Sequence, residues 1–479
     1  MSNSIVSTKP FPILFSLLLA LLIGGVCRKA HAQQAAKPQS CNLASIEALN
    51  VDDSTDVNAG KEYQSAVGDL LVKEDFATLD CLADSNRLTK ARFAGGMWKL
   101  HLMYAGLAHP QQHATEEDWA AHFARLNRWV VASPKSAAPL LALAYSYDGY
   151  AWDARGGDTS DTVSDSGWKL FGERVEKAQS ELNDAAKLPV RDPEWFLMQQ
   201  EIALDQAWEP AQAAELEKKA ARFEPAYYYY YRAHARYLLP KWHGEEGEMA
   251  QFAAASADQV GGDDGDIIYF QIAVDQICHC GDDEVALKSL SWPRIKKGFA
   301  AQQKRSGPSL YNMNQLAFMS VTFEDAATSD KIFTLLGDRW SEDVWHTQTY
   351  YEQCKKSAAQ IAPVIAGRNA TADEAAANAK TEDGARYQAA IQKQMDGILK
   401  SCVQAPGSDQ NRFTVMFRIG QDGMLERMTL DPASPLVNCL LRPLYEQQQQ
   451  AKKPPFPAPP KPSYWVKVEM DPKTVLAQN

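Results

Sequence analysis

Beyond Val26 this 479-residue chain has no apolar run approaching the roughly twenty residues that a membrane-spanning helix needs. It also lacks a Gly-x-Ser-x-Gly elbow, a Walker loop, a Gly-x-Gly-x-x-Gly turn behind a strand and a His-Glu-x-x-His helix. An enzyme built from this chain would therefore need a constellation assembled only in three dimensions. No 34-residue register extends along the sequence, which excludes a regular tetratricopeptide array. Basic charge is short as well: 49 Lys and Arg stand against 60 Asp and Glu, a formal charge of −11. The balance is uneven, because Ala385 to Asn479 alone carries twelve Lys and Arg against eight Asp and Glu. The rest is a strongly acidic surface, which repels nucleic acid and anionic lipid and excludes both as expected partners.

What the N-terminus holds is an address. Lys9 precedes the apolar run Phe11 to Val26, and a polar stretch follows that ends Ala30-His31-Ala32-Gln33. A basic start, an apolar core and a small-x-small site make residues 1–32 a signal peptide cleaved after Ala32. A periplasmic or secreted protein follows, with no integral membrane domain after cleavage. The alternative is an uncleaved segment anchoring the chain in the inner membrane. Cys27 is a poor lipidation site, since Val26 stands where a small residue is needed. Cleavage leaves Cys41, Cys81, Cys278, Cys280, Cys354, Cys402 and Cys439, an odd set for an oxidising compartment. Cys402 and Cys439 fall in one small domain and are the preferred pair, with Cys41 and Cys81 second. Cys278 and Cys280 are too close in sequence for an easy mutual bond, and Cys354 lies in a helical segment.

Periodicity divides the rest. Residues 33–60 read as a flexible leader, polar and rich in Ala, Gln and Asp. From 61 to 362 nearly every segment has helical spacing. Trp119, Phe123, Leu126 and Val130 share one face, Thr115 with Asp118 opens that helix, and Ser133-Pro134 stops it. Asp192-Pro193 opens another helix. Pro210 opens one that carries Ala213, Leu216, Ala220 and Phe223, and Pro225 opens the next, running to Leu239. Short loops between such helices imply antiparallel neighbours, so the expected fold is mainly α, an irregular α-helical solenoid of tetratricopeptide-like hairpins. Residues 363–384 read as a linker or frayed helix. Residues 385–479 then change character into a small α+β domain with a three-stranded antiparallel sheet. Tyr387 to Leu399 is helical, Phe413 to Ile419 alternates as a strand, and Asp422-Gly423 turns into a second strand ending at Leu430. Pro435 to Gln447 is helical. A stiff run of prolines from Pro454 to Pro460 leads to a third strand, Tyr464 to Met470.

Certain residues carry resemblances. Trp98-Lys99-Leu100, Trp129, Ala142-Leu143-Ala144-Tyr145, Ala151 to Gly156, Gly167-Trp168 and Glu224 to Tyr228 are similar to a bacterial domain-of-unknown-function family, number 4034. So, most of all, is Leu238 to Glu248. The likeness covers roughly residues 65–360 and implies a helical fold with no assigned activity. Phe413 to Ile419, Asp422-Gly423-Met424, Cys439 and the proline run resemble the C-terminal domain of TonB and TolA over roughly 385–470. That resemblance implies a docking domain presenting a sheet edge to periplasmic partners, with Cys402 and Cys439 placed where members often form a disulfide. A certain membrane anchor and a long Pro/Lys spacer are missing, which puts force transmission in doubt.

Three constellations have both a chemical and a structural reading. His243, Glu245 and Glu248 have residue types that ligate a metal or supply a general base, yet carboxylates also favour the first turn of the helix that follows. Cys278-His279-Cys280 sets soft ligands in a row without a second ligand pair. Trp152 and Arg155 end an aromatic helix, where Arg suits a carboxylate or phosphate but also complements the helix dipole. Tyr228 and Trp242 join them as candidate partner-binding aromatics. In the last strand, Tyr464, Val466 and Val468 would accept an added strand unless the tail or the domain's first helix covers that edge. The resulting expectation is a non-enzymatic envelope adaptor without a cofactor: the helical domain grips one protein or peptide and the sheet docks a second. The competing expectation is a metal-dependent hydrolase centred on His243, Glu245 and Glu248.

Overall fold

Start and stop signals in the sequence are where the chain turns. The Thr115 side chain accepts the Asp118 N–H, and the Asp118 carboxylate accepts the Thr115 N–H at 2.8 Å, closing a capping box on the helix Glu116–Ala132. That helix buries Trp119, Leu126 and Trp129. Asp192 caps Pro193–Asp205 by accepting the Glu194 N–H, and Pro210–Phe223 begins on its proline. The computed structural model describes residues 43, 49, 51–111, 113–157, 159–278, 283–403, 412–431 and 436–477. Among these lie twenty α-helices and one sheet. From Ala59 to Ala379 every regular element is helical, and helices adjacent in sequence pack as pairs.

Two large apolar clusters fill most of this helical region. One runs from Leu49 and Tyr63 through Trp129 and Leu141 to Ile202. The other gathers Trp98, Tyr227, Phe270, Leu316 and Trp345. The leader expectation fails at its C-terminal end: Leu49 and Ala59 are buried, and the Asp53 carbonyl accepts the Leu310 N–H at 3.0 Å. Composition hides this because a few apolar residues in a polar stretch suffice to dock it. The helix expected from Pro225 starts later, at Tyr229, and ends at Tyr237. Residues 225–228 form a turn instead, with the Tyr227 N–H on the Glu224 carbonyl, and all five tyrosines from 227 to 231 are buried.

The expected linker 363–384 is helix through Ala379. Gln348–Ala379 is one helix of 32 residues, and the next, Glu382–Cys402, starts after an N-cap at Thr381. Alanine lacks an apolar stripe to reveal periodicity, but it is the best intrinsic helix former. The long helix buries Tyr351, Ala358 and Ile361 in the helical core, then Ala375 against Met416 and Trp465 of the sheet. One helix thus serves both cores.

The sheet has three antiparallel strands, β1 (Phe413–Ile419), β2 (Leu425–Asp431) and β3 (Tyr464–Met470), in the order β2-β1-β3. Phe417 pairs with Val466 on one side and Met428 on the other. Val415, Phe417 and Ile419 point to the same face as Val466 and Val468, onto Ile391, Met395 and Leu399 of the helix Glu382–Cys402. Gly423 makes the hairpin with φ of 81°, and a Cβ there would lie 2.1 Å from the Phe456 carbonyl oxygen. A disulfide joins Cys402 to Cys439 with Cα atoms 5.8 Å apart. Closing a loop of 37 residues removes about 3–4 kcal/mol of chain entropy from the unfolded state. Cys81 is disulfide-bonded too, but its expected partner Cys41 lies outside the described residues. Cys354 is a free thiol.

Candidate functional site

His243, Glu245 and Glu248 do structural work. The His243 Nε2 lies 3.0 Å from the Leu204 carbonyl, to which it donates, and its ring rests on Tyr237. Glu248 is the first residue of the helix Glu248–Val260, and its carboxylate accepts the Glu245 N–H at 2.9 Å. Glu245 and Glu246 therefore precede the helix rather than occupy its first turn, because Gly247, at φ 85°, is the N-cap. Among the described residues no group of three or more His, Cys, Asp or Glu is placed to hold a metal ion. His279 and Cys280 lie outside the described residues.

Trp152, Arg155 and Trp242 form an aromatic corner. Trp152 meets Phe171 and Trp242 edge-on, and the Arg155 guanidinium sits 5.1 Å from the ring centres of both Trp152 and Trp168. Arg155 also donates to the Gly156 carbonyl beside it, as the dipole reading requires. Tyr228 is only 3% exposed, so it is no surface aromatic.

The edge of β3 is covered. Tyr464, Val466 and Val468 are buried, so their side chains belong to the core. Outward along the strand, the Trp465 carbonyl accepts from Asn378 Nδ2 at 3.0 Å. Gln392 accepts the Glu469 N–H at 3.0 Å and donates to the Glu469 carbonyl at 2.7 Å, as a paired strand residue would. Amides from two helices thus occupy the edge that the strand-addition expectation needed. Pairing alternates along a strand, so outward backbone at Trp465 and Glu469 implies that β1 bonds β3 through Val415 and Phe417. β1 then bonds β2 through Thr414, Met416 and Arg418, which turns the Met428 and Leu430 backbone away from β1. Gln448 seals only the start of β2, bonding the Leu425 N–H at 2.8 Å and carbonyl at 3.0 Å.

Except for Tyr228, sequence reasoning missed a further site: a cavity of about 280 Å³ in the helical region, with His101, Tyr228, Gln271, Asn312 and Gln315 among its walls. Gly95 organises one side. It adopts φ of 75° and its Cβ would collide with Ser309 at 2.2 Å, so only glycine fits. Its carbonyl accepts from Gln302 Nε2 and from Asn312 Nδ2, the latter at 2.8 Å. Gln302 Oε1 in turn accepts from Gln271 Nε2 at 2.7 Å. Opposite, His101 Nδ1 sits 3.3 Å from the fully buried Glu194, whose carboxylate also accepts the Tyr145 hydroxyl, and the His101 ring packs on Tyr229. Lys61 and Asp343 pair at 2.8 Å in the wall, each nearly half exposed. Arg232 pairs with Asp275 at 3.0 Å. Gln315 Oε1 is buried without a hydrogen-bond partner among the described residues. These residues come from several helices, with Asn312 and Gln315 sharing one, and form no local motif. The one available signal was amides such as Gln271 and Gln315 inside otherwise apolar helical stretches.

No helix among the described residues is long and apolar enough to cross a membrane. No family model matches this chain, and neither a curated protein nor a solved structure matches it.

Proposed function

We propose that this chain is an exported, non-enzymatic adaptor of the bacterial envelope: its helical domain holds one partner and its C-terminal domain, resembling those of TonB and TolA, docks a second. The observation that carries the reading is the edge of β2. With β3 closed by Gln392 and Asn378, β2 is the outer strand whose backbone at Met428 and Leu430 has no neighbouring strand among the described residues. The domain behind it is stapled by Cys402–Cys439 and backed by a helix on each face, so an added strand would meet a preorganised template. The excess of Lys and Arg in 385–479 favours an acidic extended segment, bound less tightly as salt rises.

A photocrosslinker at the exposed Arg427 in intact cells, read by mass spectrometry, should capture an acidic extended segment. Met428→Pro removes an outward N–H without breaking the ladder to β1, so the domain should stay folded while crosslinking is lost. Lys467→Pro, on the covered edge of β3, should leave capture intact. A folded Met428→Pro variant that crosslinks at full strength would reject the adaptor reading.

A further inference from the structure

Four acceptors on side chains lining the cavity have no hydrogen-bond donor among the described residues, and we infer that the cavity binds a neutral, hydroxyl-rich ligand the size of one sugar ring. The orientation of the amides is dictated rather than chosen. A carbonyl oxygen accepts and never donates, so Gly95 turns the nitrogen ends of Gln302 and Asn312 toward itself. Gln302 Oε1 then fixes the nitrogen end of Gln271. What remains unanswered is Asn312 Oδ1 and Gln271 Oε1. Glu194 accepts from His101 Nδ1, so in the neutral imidazole Nε2 is an acceptor too. Gln315 Oε1 is the fourth, on a residue 2% exposed.

Charge narrows the ligand. Lys61 is shared by Asp343 and Glu342 at 2.8 and 3.2 Å, and Arg232 is held by Asp275. A cation would thus find the lining carboxylate Asp343 already paired, and an anion would find both lining cations already paired. A neutral molecule rich in O–H groups answers all four acceptors, and its own oxygens can accept from the Gln315 amide nitrogen. Tyr228 and Tyr229 supply apolar wall for the C–H face of such a ring. The cavity volume equals that of roughly nine water molecules, room for a single pyranose. This site is independent of the β2 edge and stands if the docking reading falls.

Titration calorimetry on the full mature chain tests it, with D-glucose, D-galactose, D-mannose and N-acetyl-D-glucosamine as probes and ethylammonium and acetate as charged controls. At least one sugar should bind one-to-one, at a Kd of about 1 mM or tighter. Gln315→Met fills the same space without an acceptor. It should keep its melting temperature and weaken sugar binding about tenfold or more. His101→Phe, which keeps a ring against Tyr229, gives the second reading if Gln315→Met unfolds. Failure of all four sugars to bind, unchanged affinity in a folded variant, or tighter binding of either charged control would overturn the inference.

Discussion

Asp148 and Asp205 come from the helices Ala138–Arg155 and Pro193–Asp205, and their carboxyls face each other in the interior. Burial pushes Asp205 up to about 6, and burial followed by the negative charge of Asp205 lifts Asp148 well above the usual carboxylate range. Two carboxylates so placed hold a proton between them that the unfolded chain releases near pH 4. The stability it represents is therefore lost progressively as pH rises from about 4 through the folded values. Asp148→Asn supplies a permanent neutral donor to Asp205. It should therefore stabilise the protein by about 1 kcal/mol at pH 8 and by less at pH 5. Urea unfolding at the two pH values measures this, and an equal or larger gain at pH 5 would contradict the shared proton.

At the scale of elements, the C-terminal sheet is guarded by glutamine side chains. Gln392 on the helix Glu382–Cys402 gives Glu469 of β3 both the acceptor and the donor of a neighbouring strand, and Gln448 does the same for Leu425 of β2. An edge strand left bare invites unwanted pairing, and a carboxamide is the side chain that imitates a peptide group. Gln392→Ala should cost about 1–2 kcal/mol by leaving both Glu469 groups to water. Amide hydrogen exchange localises the effect: the Glu469 N–H should exchange about tenfold faster while β1 amides stay protected. Unchanged protection at Glu469 would show that the bond to Gln392 contributes nothing in solution. The same device closes the β3 edge and leaves β2 beyond Leu425 as the strand on which the proposed strand addition rests.

Across the whole molecule, buried titratable groups set a pH profile. Burial raises Asp53 and Glu217 to about 7 and Asp192 to about 6, beside the Asp148–Asp205 pair. Each raised carboxyl contributes stability fully below its unfolded pKa, and the contribution fades as pH climbs through the folded one. His122 and His234 are buried and pushed down to about 4. Their contribution is complete above about 6.5 and fades as pH falls toward 4. The raised carboxyls outnumber the two histidines, so the melting temperature should fall as pH rises from about 5 to 8. A profile rising steadily to pH 8 would show that the carboxyls are not held protonated.

Helix starts at Thr115, Asp192 and Pro210, the three strands and the Asp422-Gly423 hairpin were legible in the sequence, because caps, alternation and turn chemistry act over a few residues. The Cys402–Cys439 pairing was legible as well, from domain size and from the resemblance. Function was not. The covering of β3 depends on Asn378 and Gln392 arriving from helices more than seventy residues upstream. The cavity depends on His101, Gln271, Asn312 and Gln315 meeting across the helical region, and the carboxyl pair on two separate helices. A polar residue in an apolar stretch announces only that it needs a partner. Which partner it finds, and whether an acceptor is left for a ligand, follows from how helices distant in sequence pack together, and that is decided by the tertiary structure alone.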